Sequence, residues 1–132
     1  MTGYTLSTTL REPFDIAVGH VRAALADVGF GVITEIDMAA TMKAKLDVDL
    51  PPQLILGACR PGLAHRALQA DPSVATLLPC NVVVRAIDEE RTLVESLDPA
   101  LLATLAGDAL HEVADDARER LGALLALLSK ET

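Results

Sequence analysis

Aromatic residues are nearly missing from this chain. They make up 2 % of its 132 residues, as one tyrosine, two phenylalanines and no tryptophan. Base-stacking platforms for single-stranded nucleic acid need such rings, so that class of function is excluded. Positive charge is also scarce: 11 lysines and arginines face 19 acidic residues, for a net charge of −8. A surface of that sign repels phosphate backbones and anionic lipid, and no nucleic-acid partner is expected. There is no long hydrophobic run either. The longest, Leu121-Gly-Ala-Leu-Leu-Ala-Leu-Leu128, is far too short to span a bilayer, so no membrane partner is expected. The opening segment "MTGYTLSTTLREPF" lacks a basic start followed by an apolar stretch, which predicts no signal peptide and a cytoplasmic location. Only two cysteines occur, Cys59 and Cys80, with no Cys-x-x-Cys spacing. In a reducing compartment they are expected as free thiols.

What remains is aliphatic. Hydrophobic residues reach 51 %, so the core must be built from leucine, valine, isoleucine and alanine. One domain suits the length. The period of two in residues 4–10 predicts a first strand. Pro13 and Gly29 bracket a helix whose stripe is Phe14, Val18, Val21, Leu25 and Val28. The β-branched segment 30–37 predicts a second strand, and Asp37 suits the cap of a short helix with Met38, Met42 and Leu46 along one side. Pro51 places a loop at 47–52. Residues 53–59 read as a third, doubly covered strand, and Pro61 opens a helix through Ala70. Strands at 81–88 and 91–97 follow. A long apolar helix starts at Asp98 and Pro99 and is interrupted at Gly107. The fold class expected is α/β (α+β): a two-layer sandwich with one sheet of about five strands and helices packed on it, in the order β-α-β-α-β-α-β-β-α. The last helix holds more apolar surface than one face hides, which points either to a homodimer seam or to a helix sunk deep in its own core.

Residues 29–84 carry the densest pattern, including GFGV-TEID, ILGAC-P-LAHRAL and LLPCNVVV. With these pieces the chain resembles the uncharacterised family called domain of unknown function 302, over most of its length. The resemblance implies a compact α/β fold and a homodimer, and it implies no reaction. Two residues depart from the family pattern: Asp47 stands where glycine is common, and Arg60 where asparagine is common.

The candidate site residues cluster in the same stretch. Cys59 ends a strand and precedes a helix, where the helix dipole and Arg60 favour a thiolate. Cys80 opens the next strand and would meet Cys59 only if the two strands run antiparallel. His65 follows Cys59 by six residues, with Arg66 beside it. Asn81 adjoins Cys80. Glu35 is a carboxylate on the second strand, expected to pair with Lys43 or Arg66. Cys59, His65 and Cys80 are too few and too irregularly spaced for a structural zinc, so no metal and no cofactor are expected. No phosphate loop, dinucleotide fingerprint or nucleophile elbow is present. The leading expectation is a homodimeric small-ligand-binding or regulatory module, with the ligand or a partner chain near Cys59, Arg60, His65, Arg66, Cys80, Asn81 and Glu35. The alternatives are a thiol-dependent redox or sulfur-handling enzyme with Cys59 as nucleophile, and a purely structural dimer.

Overall fold

The computed structural model describes residues 3–130. Five strands form one sheet: β1 (Thr5–Leu10), β2 (Gly31–Asp37), β3 (Gln53–Cys59), β4 (Cys80–Ala86) and β5 (Thr92–Leu97). Their order is β1-β5-β4-β3-β2, and every neighbouring pair is antiparallel. The helices are α1 (Phe14–Asp27), α2 (Met38–Leu46), α3 (Pro61–Ala70), α4 (Ala100–Ala106) and α5 (His111–Lys130). A 3-10 segment, Pro72–Leu77, carries the chain from α3 back to β4. The expected sandwich is therefore what the chain forms, with every element in its expected order.

Local chemistry sets the boundaries. Pro13 takes the N-cap position of α1, and Gly29 leaves that helix at φ +86, a conformation that costs a side chain but not glycine. The Asp37 carboxylate accepts the Ala40 N–H at 2.8 Å and so caps α2. Asp98 accepts the Ala100 N–H at 3.0 Å and also the Arg118 Nε–H at 3.0 Å, tying the start of α4 to α5. Gly107 separates α4 from α5 at φ +95. Asp47 closes α2 in the left-handed region at φ 55, which a short polar side chain tolerates.

Alternation on the strands decides which sheet face is covered. Leu56, Ala58, Val82, Val84 and Val94 point to one face and are buried beneath α1 and the C-terminal half of α5. Leu121, Leu124 and Leu128 of α5 are fully buried in this cluster. A second cluster joins Leu63 and Ala67 of α3, Val74, Leu102 of α4 and Leu110, Val113, Ala114 and Ala117. The core thus has two centres, and α5 runs through both.

Packing decides the place of two helices. α2 is not a core helix: it rests on β2 and β3 with Met38 and Met42 half-buried, has no fully buried residue, and leaves Leu46 67 % exposed. The apolar end of α5 is also not a surplus face. Three of its leucines are in the core, Leu125 packs against that core, and Leu127 alone among them is exposed. The helix is long and central, so it buries more than a surface helix does.

Candidate functional site

The antiparallel pairing of β3 with β4 sets Ala58 opposite Cys80 and Gly57 opposite Asn81. Cys59 follows Ala58 directly, so Cys59 and Cys80 come to one end of the sheet although they are 21 positions apart in sequence. Both are half-buried. The 3-10 segment makes this possible, because it returns the chain to the end of the sheet from which α3 left.

That end of the sheet opens into a cavity of about 350 Å³. It lies at the junction of the two core clusters. Phe30 and Ala58 come from the first; Leu63, Ala67, Leu102, Val113 and Ala117 come from the second. Leu78 and Pro79 close one side, and Cys59, Arg60 and Cys80 are its polar members. Ligand sites of this kind run from roughly 300 to 1,000 Å³, mostly apolar with a few polar groups.

A bulge shapes the rim. Val32 opposes Ala58, but Thr34 opposes Gly57, so Ile33 is the extra residue on β2. Ile33 is 61 % exposed and lines the cavity. The bulge also lowers Thr34 onto Gly57. A Cβ at Gly57 would collide with Thr34 Oγ1 and lie 2.8 Å from Pro79 Cγ, so only glycine fits where bulge and Pro79 converge.

Burial pushes the Cys80 thiol above its ordinary value, and neighbouring Cys59 adds to the shift. A raised thiol pKa favours the protonated form in the fold, so the unfolded chain ionises first as pH climbs past about 8.5. The stability this contributes is complete below that value and is lost as pH rises toward the folded pKa. Urea midpoints between pH 7 and 10 are expected to fall, and Cys80→Ala is expected to flatten that fall; equal slopes in the two proteins would contradict the assignment.

The remaining candidates lie elsewhere. His65 is exposed: Leu63 and Ala67 are the inward positions of α3, and His65 is half a turn from both. Arg66 is exposed and pairs with Asp116 at 3.4 Å. Asn81 alternates with buried Val82 and faces solvent on the other side of the sheet. Glu35 bonds Arg22 of α1 at 2.7 Å, not Lys43 or Arg66, since α1 covers that side of β2 while Lys43 reaches Asp47 and Asp49. Among the described residues no three metal-ligating side chains converge. Sequence reasoning missed the cavity's far wall, Leu102, Val113 and Ala117. Each reads as ordinary core, and only the packing of α3 across α4 and α5 turns them toward Cys59.

The sequence matches the family described as domain of unknown function DUF302 over residues 6–128. The chain belongs to the DUF302 family. A solved relative is the uncharacterised conserved DUF302 protein from Bacillus stearothermophilus, 27 % identical, with a TM-score of 0.86 over 95 % of this chain and 98 % of that one. No curated protein matches. Membership of DUF302 accounts for the sheet order and the helix placement and carries no reaction with it. No described helix is long and apolar enough to cross a membrane.

Proposed function

We propose that this DUF302 domain is a small-ligand-binding module whose site is the apolar cavity beside Cys59 and Cys80. The cavity itself is the observation that supports the reading. Ligand sites are concave and mostly apolar. Here a half-open apolar space of about 350 Å³ lies where two core clusters meet, beside the β2 bulge. Its lining includes the alanines Ala58, Ala64, Ala67, Ala75 and Ala117, so small side chains keep it open.

The test is a calorimetric melting screen against small apolar and amphiphilic molecules. Compounds that fit should raise the melting temperature of the native chain, because a ligand of the folded state stabilises it. Ala117→Leu and Ala75→Leu, which fill the space from two walls, should abolish that rise while the proteins remain folded. If no compound moves the native melting temperature, or if both filled variants respond as the native chain does, the cavity is not a ligand site.

A homodimer in the cytoplasm belongs to the same proposal. Its support comes from the β2–α2 arm, where Ile36, Leu46, Val48 and Leu50 are exposed near one another in sequence, rather than from α5. A second reading, thiol-dependent chemistry with Cys59 as nucleophile, is favoured by the meeting of the two cysteines at the cavity. It requires Cys59 to alkylate much faster than Cys80 in the folded protein; equal slow labelling of both before unfolding would end it.

A further inference from the structure

We infer that the ligand is a short aliphatic carboxylate, its chain in the cavity and its charged end on Arg60. The inference rests on the binding role proposed above and names the chemistry of the molecule bound.

The walls fix the body of the ligand. Aliphatic side chains surround it on nearly every side, from Leu63 and Leu68 on α3 to Leu102 and Val113, with Phe30 as the sole ring. The cavity presents no carboxylate and no side-chain hydroxyl or amide, so a ligand rich in such groups would be desolvated there without partners. An unbranched or lightly branched alkyl chain meets no such cost.

Arg60 fixes the head. It is the one charged residue lining the cavity. In this acidic chain most arginines have found a carboxylate: Arg22 takes Glu35, Arg66 and Arg120 take Asp116, Arg91 takes Asp88 and Arg118 takes Asp98. Among the described residues Arg60 has none. Arg11 and Arg85 also lack one, but neither lines the cavity. The Arg60 side chain is laid down over Gly29, where a Cβ would stand 3.1 Å from Nε and 3.7 Å from Cδ. The missing side chain of Gly29 leaves the room that the Arg60 side chain takes. The first turn of α3 agrees in sign, with no acidic residue and no side-chain cap on its N–H groups. A guanidinium held this way presents paired donors that match a carboxylate.

The experiment is titration calorimetry of the full chain with butanoate, hexanoate and octanoate and with the alcohols of equal length. Each added methylene should tighten binding roughly fourfold until the cavity is full. Hexanoate should bind about tenfold more tightly than hexanol, as expected for a charge-assisted pair. Arg60→Gln should erase that preference by bringing hexanoate down to the affinity of hexanol, and an unchanged melting transition shows that the variant is folded. Equal affinity of the native chain for hexanoate and hexanol overturns the carboxylate assignment and leaves the binding role standing. No saturable binding of any alkyl compound overturns both.

Discussion

Gly57→Ala should cost about 3 kcal/mol of folding stability, the upper range for forcing atoms into a filled site. An alanine Cβ here has no room. It meets Thr34 Oγ1 from the bulged β2 strand on one side and Pro79 Cγ at 2.8 Å on the other. Both neighbours are held by backbone: Thr34 by its register with Gly57, Pro79 by its place just before β4. Adding Thr34→Ala should restore part of the loss, since it removes one of the two collisions, and the pair should be clearly non-additive. Chemical denaturation of the two single variants and the double variant measures this. A Gly57→Ala protein as stable as the native chain would show that the bulge and Pro79 do not converge there. The same change should also narrow the cavity, because Pro79 lines it.

The second large effect separates two leucines three residues apart on α5. Leu124→Ala should cost about 3 kcal/mol, the usual loss for a buried leucine whose site does not collapse. Leu127→Ala should cost under about 0.5 kcal/mol, as for an ordinary surface position. Leu124 is fully buried in the cluster with Leu121 and Leu128, whereas Leu127 is 38 % exposed. Light scattering extends the comparison to assembly. If copies associate through the β2–α2 arm, Ile36→Lys should reduce the particle to a monomer while Leu127→Lys leaves its mass unchanged. The reverse result would return the dimer seam to α5.

The boundaries of this fold were legible because prolines, glycines and capping aspartates act locally. Pro13, Asp37, Pro51, Pro61 and Pro99 each limit the backbone or satisfy N–H groups within a turn, and the elements start where these residues stand. The fate of each apolar face was less legible, since it depends on what the rest of the chain brings up against it. The α2 stripe and the α5 run look alike by period, yet one is only half-buried at Met38 and Met42 and exposed at Leu46, while the other passes through both core clusters. The site followed the same division. Cys59, Arg60 and Cys80 stood out by chemistry and line the cavity. His65 was drawn in by proximity in sequence, but helix geometry turns it outward. Ile33 and Gly57 gave no signal, because a bulge is a feature of pairing between strands and not of either strand alone. The alanines that hold the cavity open gave none either: an alanine lining a void and an alanine in a tight contact read identically in a sequence.

The measurement that bears most directly on the cavity as a ligand site is a methyl-resolved NMR titration of the full chain with hexanoate. Saturable shifts should appear in the methyl groups of Leu63, Leu102 and Val113, from three helices, and of Leu78, from the connection before β4, while Leu46, Val48 and Leu50 stay still. Shifts confined to the exposed α2 arm, or no saturable shift at the four cavity positions, would contradict it.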